Sequence, residues 1–316
     1  MDRAAKDKAL LERIGMDKIA RKERARRRGQ LGLGLIFMSP ALLLVVGVLL
    51  APVGYNIWLS FTKWKKFKGF GEYAGVSNYE KMASNPFFTD ALVNTAIWVG
   101  ASIVFPIALG LGMAMFLRNM RGAETFKNIV FIPRILAPTA VGVLWFYVYA
   151  PDGLLNRGLS LVSGQDVSIG WLYQSETVTP AIIATFVWQT AGLVMVLLLL
   201  GLAAIPRDPI EAAHIDGATP WQVFRYITLP LLMPTLLMVT ILSVLAGFTV
   251  FDLLWVMGAN YPGQRSLALA VFMYFEAFQK GSWAFGSAVA VVIGLVVLSV
   301  TWIQTVLQSR VDRMVR

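Results

Sequence analysis

The chain has 316 residues, a formal net charge of +10 and no cysteine. Hydrophobic residues make up 57% of it and charged residues only 15%, with a mean hydropathy of +0.65, whereas a soluble domain carries about 25% charged residues. This composition predicts a membrane protein. The absence of cysteine excludes disulfide frameworks and thiolate metal sites, and a single histidine, His214, excludes a cluster of histidine ligands.

The N-terminal segment is strongly basic, with eleven of the 28 lysines and arginines in the first 30 residues. A nucleic-acid-binding arm would have a similar charge, but this segment runs directly into an apolar stretch, which favours a membrane over nucleic acid. Leu10, Leu11 and Ile14 predict a weakly amphipathic helix on the anionic lipids of the inner leaflet. The segment is too long for a cleaved signal peptide. We therefore predict a cytoplasmic tail over residues 1–30 and one transmembrane domain over residues 31–316.

Five uncharged stretches are each long enough to cross a bilayer, which takes about 20 helical residues. They cover residues 29–62, 91–117, 177–206, 226–251 and 281–309. A shorter stretch, residues 135–151, can make a sixth span together with residues 126–133. Backbone in lipid must satisfy its own hydrogen bonds, so these spans are helices. The predicted fold class is all-α, an integral membrane protein with six transmembrane helices.

The positive charges predict the orientation of these spans. With the N-terminal tail inside, the inner segments hold nineteen lysines and arginines and the outer segments hold eight, with Arg134 left uncounted. This predicts that both termini and the polar central loop are cytoplasmic. The outer cluster Lys63, Lys65, Lys66 and Lys68 runs against the rule, and its role stays open.

The same outer loop is rich in aromatic residues, namely Trp64, Phe67, Phe70, Tyr73 and Tyr79. Such residues between glycine and lysine favour an aromatic belt at the membrane interface. A contact surface for a docking partner is the alternative.

The central loop, residues 208–234, carries two sets of helix start and stop signals. Asp208, followed by Pro209 and by Glu211 three residues later, predicts a capping box. Gly217 can take a positive φ and end that helix. The signals predict a first short helix over residues 209–216.

A second set of signals follows directly. Thr219, Pro220 and Gln222 repeat the capping box, so the sequence predicts a second short helix over residues 220–228, with a sharp bend before it. Pro230 and Pro234 are expected to separate this helix from the next apolar stretch.

The loop resembles the EAA loop of bacterial ABC-importer permeases, through Glu211-Ala212-Ala213, Asp216-Gly217-Ala218, Phe224, Ile227 and Leu229-Pro230. The resemblance implies the type I ABC importer permease fold, in which this loop is a coupling helix pair that docks onto a cytoplasmic ATPase. It assigns the coupling role to Glu211, Ala212, Ala213, Asp216, Gly217 and Ala218. An ordinary amphipathic loop is the alternative, and capping alone would account for Glu211.

Other residues are similar to the sugar and glycerol-phosphate branch of these permeases, and within it to the first of two paired permeases. They are Pro133, Trp145, residues 151–156 and the segment 266–286. The branch often has Gly-Gly-Pro after its fifth span, where this chain has Asn260-Tyr261-Pro262-Gly263. This departure weakens an inference about the substrate but leaves the class unchanged.

The sequence shows no energy source within this chain. It has no GxxxxGK[ST] phosphate loop. Acidic residues are scarce in the apolar stretches, where Asp252 and Glu276 lie near outer ends, and ion-coupled transporters place such groups at mid-membrane. No residue cluster suits an embedded enzyme or a metal site. We expect no catalytic residue and no cofactor in this chain, with ATP and magnesium bound by a partner ATPase.

A substrate path requires polar and aromatic side chains on the spans beside the loop. The candidates are Trp188, Gln189, Thr190, Thr249, Asp252 and Trp255. Aromatic faces stack on sugar C–H surfaces, and the polar groups hydrogen-bond to hydroxyls. Polar contacts between helices, together with interfacial tryptophans, are an equally good explanation, and the partner permease can hold most of the substrate contacts instead.

The sequence thus predicts a permease subunit in a bacterial inner membrane that imports an oligosaccharide or polyol. Glycerol 3-phosphate or a glycerophosphodiester is the first alternative, and an ion-coupled secondary transporter is the second. The resemblance implies four kinds of partner: a second homologous permease, two ATP-binding subunits, an extracytoplasmic solute-binding protein and membrane lipid. Nucleic acid is not expected.

Overall fold

The computed structural model describes residues 37–65, 72–118, 120–258 and 268–315. The predicted tail, the aromatic residues Phe67 and Phe70, and the departure at residues 260–263 lie outside the described residues. Within them the protein is helical, and the extended structure is one isolated antiparallel bridge between Thr62 and Tyr73. The all-α prediction is confirmed.

We number the helices of the described segments α1 to α12. They are α1 (Phe37–Ser60), α2 (Ser77–Ala83), α3 (Pro86–Leu117), α4 (Ala123–Ile135), α5 (Pro138–Val148), α6 (Leu154–Ser163), α7 (Ser175–Ala203), α8 (Asp208–Ile215), α9 (residues 220–249), α10 (residues 252–258), α11 (Leu269–Gln279) and α12 (Trp283–Val315).

Five helical stretches of the described residues are long and apolar enough to cross a membrane, and a sixth span is built from two shorter helices. The five are α1, α3, α7, the stretch Pro220–Gly258 and α12. The sixth is the pair α4 and α5, which meet at a bend of 99°. Counting this pair as one broken span confirms the six-span prediction.

Two of the prolines inside these spans follow wider helical turns. A π-helical turn, Val45–Leu50, ends two residues before Pro52, and a second one, Phe224–Thr228, ends two residues before Pro230. Proline has no N–H to donate, and membrane helices tolerate it through such local changes of hydrogen-bond register. The helices therefore continue through residues that would end a helix in water.

The chain divides into two units, Met1–Trp58 and Leu59–Arg316, and the packing described below is that of the second unit. Its central helix is α7. In α7 61% of the most apolar stretch is buried, compared with 22% in α3 and 28% in α12. α7 packs against α3, α4 and α9, so it is the helix that these three spans of the second unit share as a neighbour.

Small residues allow these helices to approach closely. A methyl group added to Gly192 of α7 would collide with the backbone of α4 at the Val130 carbonyl, and one added to Gly110 of α3 would lie 2.9 Å from the Met195 backbone nitrogen of α7. Without a hydrophobic driving force in lipid, helices associate through such close packing. The described residues form three buried clusters, one around Trp98, Phe186 and Leu254, one around Met195 and Leu202, and one around Phe272.

Candidate functional site

The first helix of the central loop, α8, begins one residue earlier than predicted. The N–H of Glu211 donates to the Arg207 carbonyl (2.9 Å), so Arg207 is the N-cap, and no side chain caps the helix. The predicted capping box at Asp208 is therefore wrong. Asp208 lies inside the first turn, where its carboxylate and that of Glu211 face the positive end of the helix dipole.

α8 ends in a tight reversal at Gly217, as predicted. Gly217 has a φ of 79°. Its N–H donates to the His214 carbonyl (3.1 Å), and the N–H of Ala218 donates to the Ala213 carbonyl (2.9 Å). This is a Schellman motif, which satisfies the last carbonyls of the helix.

The second helix begins with the predicted capping box. The Thr219 hydroxyl accepts from the Gln222 N–H (3.3 Å), and the Gln222 side chain accepts from the Thr219 N–H (2.7 Å). Its predicted end is wrong, however, because α9 runs unbroken from residue 220 to residue 249. Pro230 follows the wider π-helical turn and Pro234 lies inside the helix, so neither separates the second helix from the span.

We call residues 208–228 the coupling segment. Its surface is exposed: α8 has no buried residue, and of the predicted coupling residues Ala213 and Ala218 are half-buried while Glu211, Ala212, Asp216 and Gly217 are exposed. Large apolar side chains are exposed beside them, Ile215 at 86% and Trp221 at 68%. Exposed apolar groups on a polar segment indicate a protein contact surface.

The coupling segment is joined to the bundle by few contacts. Ile210 packs against the cluster around Met195 and Leu202. In the second helix Val223 and Thr228 are buried, whereas Phe224 and Ile227, which carry part of the resemblance, are half-buried. Because α9 is continuous, the second helix of the coupling segment and a membrane span are parts of one helix.

Three of the predicted path residues lie halfway along α7. The amide of Gln189 is buried and donates to the Leu136 carbonyl at the bend between α4 and α5 (3.1 Å). The hydroxyl of Thr190 donates to the Phe186 carbonyl of its own helix (2.7 Å). These donors therefore serve the backbone, as the explanation by polar contacts between helices expects.

Trp188 has a different environment. It is 39% exposed and meets Trp145 edge-to-face at 5.4 Å between ring centroids. Trp145 in turn lies 5.2 Å from the ring of Tyr149, and its indole N–H is buried without a partner among the described residues. Trp145 and Tyr149 complete this aromatic cluster. The sequence-based candidates did not include them, although Trp145 is one of the residues that carry the resemblance.

The other three predicted path residues lie at the end of α9 and in α10. The Thr249 hydroxyl donates to the Leu245 carbonyl (2.8 Å), and Asp252 is exposed. Trp255 stacks on Phe251 at 5.8 Å and 9° and meets Tyr274 edge-to-face at 4.9 Å. The structure thus places the six candidates in two groups, each beside an aromatic cluster, with α7 and α10 in contact.

The comparisons with known proteins agree with this architecture. The family described as binding-protein-dependent transport system inner membrane component matches residues 106–313. A probable ABC transporter permease protein of Pyrococcus horikoshii is 32% identical over 277 residues, which cover 87% of this chain and 95% of that protein. The trehalose/maltose transport system permease protein MalF of Thermococcus litoralis is 31% identical over 271 residues, covering 85% of this chain and 91% of that protein.

A solved structure has the same fold. It is a chain in the crystal structure of a bacterial ABC transporter involved in the import of the acidic polysaccharide alginate. The TM-score is 0.78 at 21% sequence identity, and the match covers 92% of this chain and 99% of that chain.

Proposed function

Since the chain belongs to the family of binding-protein-dependent transport system inner membrane components, we propose that it is the permease subunit of a carbohydrate importer. The single observation that carries the proposal is the coupling segment. A segment that is fixed internally by a Schellman motif and a capping box, and that exposes Ile215 and Trp221, is built to contact another protein.

The partner at this surface is an ATP-binding subunit, present in two copies in the assembled importer. This chain binds neither ATP nor magnesium and is not itself an enzyme. It assembles with a second, homologous permease and receives its substrate from an extracytoplasmic solute-binding protein. Rocking of the coupling segment by the ATPase moves α9, because α9 is one continuous helix from residue 220 to residue 249.

The substrate class is supported by the relatives and by the aromatic clusters. The Thermococcus litoralis relative is a trehalose/maltose permease. In this chain Trp188, halfway along α7, meets Trp145 of α5 edge-to-face, and Trp255 of α10 stacks on Phe251. Aromatic faces of this kind stack on the C–H surfaces of sugars. A sugar or sugar derivative therefore fits the path better than an inorganic ion.

The orientation follows from charge. Both termini and the coupling segment lie on the cytoplasmic side of a bacterial inner membrane, and residues 152–166 lie outside. An alkaline phosphatase fused after Arg316 is expected to be inactive, and one inserted within residues 152–166 is expected to be active. The reverse pattern would place the coupling segment away from ATP and overturn the proposal.

The decisive experiment is reconstitution. The complete importer in liposomes is expected to take up a panel of radiolabelled sugars or sugar derivatives in an ATP-dependent manner, and this chain purified alone is expected to hydrolyse no ATP. Removal of the ATP-binding subunits serves as the control and is expected to abolish uptake. ATP turnover by the isolated chain, or uptake without the ATP-binding subunits, would contradict the proposal.

A further inference from the structure

A positively charged residue, Arg134, lies at the bend of the broken span. It belongs to the last turn of α4, directly before the 99° bend to α5. The carbonyl of Leu136, two residues later, accepts a hydrogen bond from Gln189, which lies halfway along α7 (Ser175–Ala203). Arg134 is therefore near the middle of the membrane, where charged residues are costly and mark substrate or ion pathways.

No carboxylate balances this charge within the described residues. The ion pairs there join Lys63 to Glu72, Lys127 to Glu124, and Lys280 to Glu276. The acidic residues on the spans themselves are confined to the ends of helices, as Glu176 at the start of α7 illustrates. Any counter-charge of Arg134 therefore lies outside the described part of the chain.

The carbonyl at the bend has a neutral donor. A cation near a helix C-terminus stabilises the last carbonyls, whereas the carbonyl of Leu136, directly after α4, accepts from the Gln189 amide (3.1 Å). The charge of Arg134 is therefore not used by this carbonyl, and at mid-membrane a charge is costly unless it has a partner.

Arg134 also lines a cavity, of about 140 Å³, between α3, α7 and α9. Two of its polar neighbours there are the hydroxyls of Ser102 and Thr190, which donate to the carbonyls of Ser243 (2.9 Å) and Phe186 (2.7 Å). Those two protons are used, so the donors left at this cavity are the Ser243 hydroxyl and the guanidinium, and of these the guanidinium carries the charge. Its planar fork suits the paired oxygens of a carboxylate or a phosphate.

We propose that Arg134 binds an anionic group of the transported molecule at the bend, so that the substrate is an acidic or phosphorylated carbohydrate. The inference rests on the proposed function and narrows its substrate class. Arg134 is exposed on the isolated chain, as a residue that faces a path shared with a partner permease must be. It acts as a specificity-determining residue and takes no part in coupling to the ATPase.

The test is uptake by the complete importer in liposomes, with maltose, maltobionate, trehalose and trehalose 6-phosphate as probes. Maltobionate tests the carboxylate and trehalose 6-phosphate tests the phosphate, each against its neutral counterpart. We expect ATP-dependent uptake of at least one charged probe, and a loss of tenfold or more in Arg134→Gln with partial retention in Arg134→Lys. Arg157→Gln, on α6, is the matched control and is expected to leave uptake unchanged.

A second measurement uses the absence of cysteine in the chain. In Arg134→Cys the new thiol is expected to react with a negatively charged, membrane-impermeant thiosulfonate, and the charged probe that is transported is expected to slow the reaction. Leu161→Cys on α6, 86% exposed, serves as the positive control. A thiol at residue 134 that does not react would place the residue against lipid and overturn the proposal.

The remaining outcomes separate the two proposals. If Arg134→Gln loses the partner permease on purification, the cation pairs with a carboxylate of that subunit and the inference falls. If only neutral sugars are taken up, or if Arg134→Gln transports the charged probe normally, the inference falls while the proposed function stands. If no sugar is taken up in an ATP-dependent manner, both fall.

Discussion

The coupling segment and the bend between α4 and α5 are both interruptions of helical structure, and they are stabilised in opposite ways. The coupling segment is held by neighbours in the chain: the bonds at Gly217 and Thr219 reach no further than five residues. The bend is held from a distance, because the Gln189 amide that binds the Leu136 carbonyl lies 53 residues away.

The difference follows from the solvent of each region. The coupling segment is exposed, so water can satisfy any backbone group that its caps leave open, and local signals suffice. The bend lies within a membrane span, and its Leu136 carbonyl meets the buried Gln189 amide, where a freed carbonyl needs a protein donor. A break in lipid therefore depends on tertiary contacts, and a break in water depends on sequence.

The largest effect is expected at Gly192, which holds α4 against α7. In Gly192→Val the side chain would collide with the Val130 carbonyl and the Phe131 backbone, and the backbone cannot yield as a flexible side chain would. We expect a loss of about 3 kcal/mol or more, because overpacking of this kind forces backbone shifts. Thermal unfolding in detergent, followed by size-exclusion chromatography, measures it.

Gly112→Val is the matched control, since Gly112 lies on α3 with no atom within 4 Å of an added methyl group. It is expected to fold as the unmodified chain does. Equal losses of stability in the two variants would show that valine itself destabilises these membrane helices. The close contact at Gly192 would then add nothing to the effect.

The next effect in size is expected at Gln189. Gln189→Leu removes the donor and leaves the Leu136 carbonyl unsatisfied in an apolar environment, which costs about 1–3 kcal/mol. Thr249→Val, which removes a donor that serves its own helix, is expected to cost less. A thermal shift for Gln189→Leu no larger than that for Thr249→Val would mean that the bend is stable without this bond.

These contrasts show which parts could be predicted from sequence. The six spans follow from uncharged length, and the bend at Gly217 and the box at Thr219 follow from residues within a few positions of one another. The continuity of α9 through Pro230 could not be predicted, because it depends on a local change of hydrogen-bond register. The hydrogen bond from Gln189 to the Leu136 carbonyl could not be predicted either, because the packing of α4 on α7 brings the two residues together.

A smaller change in stability, with a large change in function, is expected for Gly217→Asp. The positive φ of 79° costs a residue with a Cβ about 1 kcal/mol, and the spans stay inserted because apolar transfer drives them. The new side chain stands on the exposed coupling surface. We therefore expect weaker co-purification of the ATP-binding subunits and lower sugar uptake, with docking of the binding protein unchanged.

Gly164→Asp is its matched control. Gly164 also has a positive φ, 68°, with open space around it, but it ends α6, on the predicted outer side. The same backbone strain there is expected to leave uptake intact. Normal uptake and normal retention of the ATP-binding subunits in Gly217→Asp would show that the reversal does not couple the subunits.

The smallest effects are expected at the two helix starts of the coupling segment, and they differ. Thr219→Ala removes an N-cap whose hydroxyl accepts from the Gln222 N–H, which costs about 1 kcal/mol. Asp208→Ala removes no cap, because Arg207 is the N-cap of α8 and no side chain bonds there. It loses only a charge near the helix dipole, which is worth about 0.3–1 kcal/mol at an exposed site.

Hydrogen exchange resolves such changes locally. The Gln222 amide in Thr219→Ala is expected to exchange several-fold faster, and the first amides of α8 in Asp208→Ala are expected to change less. Added salt provides the discriminating condition, since it screens the dipole effect at Asp208 and leaves the neutral cap at Thr219 untouched. If amide exchange at the start of α8 is accelerated more in Asp208→Ala than at Gln222 in Thr219→Ala, and independently of salt, Asp208 does cap the helix. That result would support the capping box that the sequence predicts and contradict the structure.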